Sequence, residues 1–231
     1  MKDSTSKIFL FKVKEDYIYY LSELIIDTIQ KSKRLKKYEN EIDFLLKNNL
    51  GKKIIEAEFY ESFSDKTSRL FQYIFNLIGD ETKQAFSYRK FRKILYKNKR
   101  LLNIELDILT TEEEFIIGEF HKLRNWSLHI PESIFNHKRE FFKIDEKFIN
   151  ENKSIIAVDY FQYFEIEFLE KQKDEIKQVL NGVEIVLKKM KDDYSILVGG
   201  EVEYKEDIMQ VKPYAIMEIA NKSLETQKGK K

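Results

Sequence analysis

The strongest constraint on this chain is its shortage of turn-forming residues: seven glycines and two prolines in 231. An all-β fold needs a tight turn every few residues, and this composition cannot supply them. Hydrophobic residues make up 42% of the chain and aromatics 14%, enough to build a core and to argue against disorder except at the ends. The expected fold is therefore an all-α helical bundle, with one small hairpin or appendage near the C-terminus.

The apolar residues recur at helical spacing. Ile18, Leu21, Ile25 and Ile29 describe one helix face over 15–33, and Leu35, Tyr38, Ile42 and Leu45 continue it to the break at Asn48, Asn49 and Gly51. Between them KSKRLKK at 31–37 reads as a solvated helix end, or alternatively as a phosphate-contacting patch. A short helix is predicted over 52–63. A second follows from a Ser64-Asp65 cap to Gly79, and a third runs from Asp80 to about Asn98. The longest helix is predicted over 160–192, with Phe161, Phe164, Phe168, Ile176, Val179, Val183, Leu187 and Met190 facing inward. Residues 8–13 suit a short strand or a lead-in to the first helix. Residues 195–205, around Gly199-Gly200, suit a small hairpin, and Pro213 precedes a last short helix. The division read from this pattern is a main helical domain over 1–198 and an appendage with a basic tail over 199–231.

Chemically capable side chains are densest in TTEEEFIIGEFHKLRNWSLHIP, residues 110–131. Thr110 and Thr111, each followed three residues later by a glutamate, form a capping-box pattern, and Glu112 to Glu114 suit the positive end of the helix dipole. Phe115, Ile116, Phe120, Leu123, Trp126 and Ile130 predict the buried face. Pro131 disfavours α conformation at Ile130, which places Arg124, Asn125 and His129 in or just past the last turn. Five helical residues rotate a side chain by roughly 140°, so a straight helix points Arg124 and His129 apart. A frayed end, or a second copy of the segment across a two-fold axis, brings them together.

Arginine, a polar residue, three further positions and histidine, here Arg124-Asn125-Trp126-Ser127-Leu128-His129, resembles the motif of the HEPN superfamily. That resemblance implies a helical bundle and a metal-independent endoribonuclease with a composite site at a homodimer interface. It also implies 2′,3′-cyclic phosphate products, a setting in antiviral defence or a toxin system, and a possible antitoxin or activator protein as partner. Position 131 is proline where one toxin subgroup carries tyrosine, a departure that counts against transferring that subgroup's antitoxin mechanism. The chemistry suits the residues. RNA carries its own nucleophile, the 2′-hydroxyl, so the protein need only move protons and stabilise charge. His129 can act as acid or base, Arg124 can hold the phosphate with its fork of donors, and Asn125 can orient the histidine or bind a phosphate oxygen.

A net charge of +1 means that any nucleic-acid contact must come from local patches. SYRKFRKILYKNKR at 87–100 interleaves cations with aromatics, so Arg89, Lys90, Arg92 and Lys93 are candidate RNA contacts, while Phe91, Ile94 and Leu95 form a core stripe. The rival function is a non-catalytic helical module that binds RNA or protein, for which this helix would matter more than the motif.

Other chemistries find little footing. The chain lacks cysteine, which excludes disulfides, thiolate metal sites and a thiol nucleophile. It has no phosphate-binding GxxxxGK[ST] loop, GxGxxG, HExxH or GxSxG. His121, His129 and His137 recur every eight residues, a helical separation of about 12 Å that is too wide for one metal. No cofactor is implied. No apolar run reaches bilayer length and the N-terminal charges are too closely spaced for a secretory signal, so a cytoplasmic, membrane-free protein is expected.

Overall fold

The structure, a computed structural model, describes residues 8–128, 136, 139–140, 162–205 and 213–228. It is an all-α bundle, 74% helical, with one two-stranded antiparallel ribbon. The order is α1 (Lys14–Asn48), β1 (Ile54–Glu56), α2 (Ala57–Gly79), α3 (Tyr88–Asn98), α4 (Thr111–Leu128), β2 (Tyr163–Glu165), α5 (Glu167–Val198) and α6 (Pro213–Lys228).

Helix α1 shows why periodicity alone can reveal a long helix. Its start is closed by Asp16, whose carboxylate accepts from the backbone N–H of Lys12 (2.7 Å) and Val13 (3.0 Å), which holds the carboxyl below its ordinary pKa. Leu21, Leu24, Leu35 and Ile42 are fully buried along its inner face. The helix ends where expected: Asn49 donates its side-chain amide to the Leu45 carbonyl at 2.9 Å, and Gly51 takes a φ of +83° that suits glycine. The basic run at 31–37 is therefore mid-helix rather than a helix end. Lys36 pairs with Glu39 at 2.6 Å and Lys37 with Glu41 at 3.8 Å.

Helices α1, α2, α4 and α5 pack as a four-helix body, and α3 lies against α1 and α2. The centre is filled by Ile74 and Ile78 from α2, Phe91 and Leu95 from α3, Phe120 from α4, and Ile176, Val183 and Met190 from α5. Burying a side chain of this size contributes roughly 1.5–3 kcal/mol. The ribbon pairs Ile54 with Glu165, Ile55 with Phe164 and Glu56 with Tyr163, tying the start of α2 to the start of α5.

Several expected boundaries shift. The predicted helix over 52–63 is instead a three-residue strand followed by α2, which runs through Ser64 and Asp65 without a break. Thr67 explains the continuity: its hydroxyl donates to the Phe63 carbonyl at 2.7 Å and accepts from Gln172 at 2.9 Å, so both sides of the supposed cap are anchored in the core. Residues 80–87 form an irregular connection, and α3 begins only at Tyr88, capped by Ser87. Tyr20 holds that connection, donating to the Ala85 carbonyl (3.1 Å) and accepting from the Ser87 N–H (3.3 Å); burial pushes its phenol up to about 12. The hairpin expected at 195–205 is absent: Ser195 to Val198 are the last turn of α5, closed by Gly199 at a φ of +82°, and residues 201–205 are not strand. Pro213 opens α6, whose Ile216, Ile219 and Leu224 are exposed. Phe161, predicted to face inward on the long helix, lies outside the described residues.

Candidate functional site

The capping box forms as Thr110 and Glu113 predict. The Glu113 N–H donates to the Thr110 hydroxyl at 3.2 Å, and the Thr110 N–H donates to the Glu113 carboxylate at 2.8 Å. The buried face of α4 is only partly the expected one, with Phe120 buried and Ile116 packed against the core as the spacing predicts. Ile117 and Phe120 are inside, whereas Phe115 and Trp126 are each 63% exposed and Leu123 is 41% exposed; Ile130 lies outside the described residues. The edge toward α2 carries Phe120, His121 and Arg124, with the Phe120 ring 5.7 Å from that of Phe75.

A glycine permits that approach. A Cβ on Gly79 would stand 2.6 Å from the His121 backbone nitrogen and 2.7 Å from the Phe120 carbonyl carbon, so only glycine fits where α2 ends against α4. Across this contact His121 Nδ1 lies 2.7 Å from the Gly79 carbonyl. A carbonyl can only accept, so Nδ1 donates. Asn125 Nδ2 lies 3.4 Å from Nε2 of the same ring.

Arg124 sits one turn further on. Its Nε donates to Asn76 Oδ1 at 3.4 Å, Nη2 to Asp80 Oδ2 at 3.1 Å and Nη1 to Asn125 Oδ1 at 3.1 Å. Both members of the Arg124–Asp80 pair are largely withdrawn from water, with 17% and 13% of their side chains exposed. Gln72 donates to the Ser127 carbonyl at 3.2 Å, so partners on α2 fall in number as those on α4 rise and the two helices run antiparallel. His129, the other half of the motif, lies outside the described residues.

The cluster holds Arg124 and Asn125 and adds His121, Asn76 and Asp80, which sequence reasoning missed. His121 stands three residues before Arg124 and four before Asn125, a same-face spacing that could have linked the three. Asn76 lies on α2 and Asp80 just past its end, and neither leaves such a signal. Among the described residues no group of three potential ligands could hold a metal ion.

The four basic residues proposed on α3 separate into different roles. Arg92 is a correction: it is 7% exposed, its guanidinium pairs with the buried Asp193 and donates to the Asp107 carbonyl, and it does not present its charge to solvent. It lies on the same stripe as Tyr88, Phe91 and Leu95, all fully buried. The Tyr88 hydroxyl donates to Asp193 at 2.8 Å and Lys189 lies 3.8 Å from the other carboxylate oxygen. Burial pushes the Asp193 carboxyl up, against the opposing pull of Arg92, Tyr88 and Lys189. Lys90 donates to the carbonyls of Lys83 (2.8 Å) and Ala85 (2.9 Å), holding the 80–87 connection, and its burial lowers the amine's pKa. Arg89 and Lys93 remain at the surface and share Glu81, whose carboxyl they hold below its ordinary value, chiefly through the Lys93 hydrogen bond.

No family model matches the chain, and no curated protein or solved structure matches it either. The fold and site define a helical bundle with a polar cluster where α2 meets α4. Among the described residues no helix is long and apolar enough to cross a membrane.

Proposed function

We propose that this protein is a metal-independent endoribonuclease of HEPN type, acting in the cytoplasm in antiviral defence or a toxin system. The observation that carries the reading is the state of Arg124. A guanidinium has five N–H donors, and three of them are engaged by Asn76, Asp80 and Asn125. Among the described residues the other two, one on each terminal nitrogen, have no partner, and a phosphate can accept from them. In this reading Arg124 binds the scissile phosphate and the charge that develops on it, and Asn125 orients a neighbouring group. His129 takes the 2′-proton or protonates the departing 5′-oxygen. Pairing two copies of the chain supplies two histidines, one as base and one as acid. The nuclease unit spans 1–198, with 199–231 as an appendage, and an activator or antitoxin protein controls it.

The Arg124–Asp80 ion pair favours a second reading, a non-catalytic helical module that binds RNA or protein. There the arginine is neutralised and serves to staple α4 to α2.

Incubation of wild type, Arg124→Ala and His129→Ala with labelled single-stranded RNA in EDTA tests the proposal, with circular dichroism to confirm folding. The expected result is wild-type cleavage to 2′,3′-cyclic phosphate ends, lost in both folded variants. Mixing the two variants should not restore activity, because a mixed dimer carries one His129 where the reading needs two. Intact RNA with the wild type, or cleavage that survives in His129→Ala, overturns the proposal.

A further inference from the structure

Away from the motif, α3, the segment 107–109 and the first turns of α4 enclose a cavity of about 480 Å³. Its walls are apolar: Leu109 and Ile117 lie at the α4 side, and Tyr96 and Ile108 stand at the mouth, 49% and 81% exposed. Large apolar side chains left at the mouth of a concave site are a mark of ligand binding. One edge is cationic. Arg89, Lys93 and Lys97 follow one another at four-residue steps and so line one stripe of α3. Arg89 and Lys93 share the single carboxylate of Glu81, and Lys97 makes no ion pair among the described residues, so the edge keeps net positive charge. Arg92 lines the cavity too, with its charge already taken by Asp193.

The opposite edge carries two carboxylates, Glu114 and Asp107, the latter 3.8 Å from Lys189 Nζ. Those acids disfavour a ligand that is simply anionic or aliphatic. They suit one with N–H donors on an aromatic ring, because a carboxylate accepts from the exocyclic amine of a base. Lys99 Nζ lies 4.0 Å over the Tyr96 ring, which makes that ring part of a charged aromatic platform. An aromatic platform, apolar walls, an acceptor edge and a phosphate-binding edge together describe a nucleotide.

We infer that the cavity between α3 and α4 binds a nucleobase together with its attached phosphate, supplied by a free mononucleotide or by one nucleotide of a strand. This site needs neither Arg124 nor His129 and so stands beyond the cleavage reading.

The test is titration calorimetry of the full chain at low salt with AMP, GMP, CMP, UMP, ribose 5-phosphate and a six-nucleotide single-stranded DNA. The DNA lacks the 2′-hydroxyl, so binding is read without cleavage. Tyr96→Ala and Lys97→Glu alter exposed side chains, and Lys188→Glu on α5 is the control for non-specific charge. A mononucleotide should bind while ribose 5-phosphate does not, or the DNA alone should bind; the first outcome assigns a free nucleotide and the second a strand. Either way Tyr96→Ala and Lys97→Glu should each weaken binding about tenfold, the scale of one lost base stack, and Lys188→Glu should leave it unchanged. The inference is overturned if nothing binds, if ribose 5-phosphate binds as well as the nucleotides, or if Tyr96→Ala binds like wild type. A chain that binds here but does not cleave RNA keeps this site and loses the nuclease reading, and the converse result separates them the other way.

Discussion

Replacing Gly79 with alanine probes the contact on which the candidate site is built. The new Cβ would meet three backbone atoms of α4 at 2.6–2.7 Å, roughly 1 Å inside ordinary van der Waals separation. Backbone cannot rotate away as a side-chain tip can, so α4 must back off from the end of α2. Overpacking of this kind costs about 1–3 kcal/mol. Retreat also lengthens the His121–Gly79 hydrogen bond and the reach of Arg124 to Asp80, adding about 1 kcal/mol. Against this, alanine favours a helical residue over glycine by up to about 1 kcal/mol. The net expectation is a loss of roughly 2 kcal/mol, which for a chain of this size lowers Tm by about 4–8 °C. Urea unfolding followed by circular dichroism measures the stability. A second reading comes from Trp126, the only tryptophan, which sits on the α4 end that must move. If Gly79→Ala unfolds at or above the wild-type midpoint with an unchanged tryptophan spectrum, the close approach of α2 and α4 described here is refuted.

Two further perturbations address the charges. Asp193→Asn strips the counter-charge from Arg92 and Lys189, whose side chains are 8% and 5% exposed, and breaking a buried pair costs about 3–5 kcal/mol. A fall in Tm of roughly 10 °C is expected, and one indistinguishable from wild type would show that the cluster is solvated. Glu81→Gln tests the pH dependence. The folded carboxyl lies below its unfolded value, so its contribution is complete above the ordinary carboxylate range and is lost as pH falls through the lowered folded pKa. Wild type should therefore exceed Glu81→Gln in urea midpoint at neutral pH, and the gap should close in strong acid. A gap that widens on acidification contradicts the ion-pair assignment.

Some elements were legible because their determinants are local. The Thr110–Glu113 box is written in four consecutive residues, and the interactions it predicts are those observed. Long runs at helical spacing made α1 and most of α5 readable, although the first turns predicted for the long helix correspond to β2 and residues beside it. The ribbon was not readable. Three residues are too few to show a period, and the partners of Ile54, Ile55 and Glu56 lie more than a hundred positions away at 163–165. The inner face of α4 is readable only in part: Ile116 and Phe120 pack inward as the spacing predicts, and Phe115 and Trp126 do not. Counting apolar residues favoured Phe115 and Trp126, but the true orientation is set by the missing side chain at Gly79 on a different helix. Arg92 shows the same limit on α3. Its place on the buried stripe was visible, but its partner Asp193 is 101 residues further along.

By itself, then, the order of residues determined that the chain is helical, where the α4 capping box lies, and that Arg124 and Asn125 stand near the end of that helix. These follow from backbone hydrogen bonding and i, i+3, i+4 geometry, which act within a few residues. Only the tertiary structure decided which face of each helix is buried, which cations of α3 are structural, and that Asn76, Asp80 and His121 surround Arg124. Those outcomes depend on how helices distant in sequence exclude water and satisfy one another's polar groups, and that energy belongs to the packed whole rather than to any segment of it.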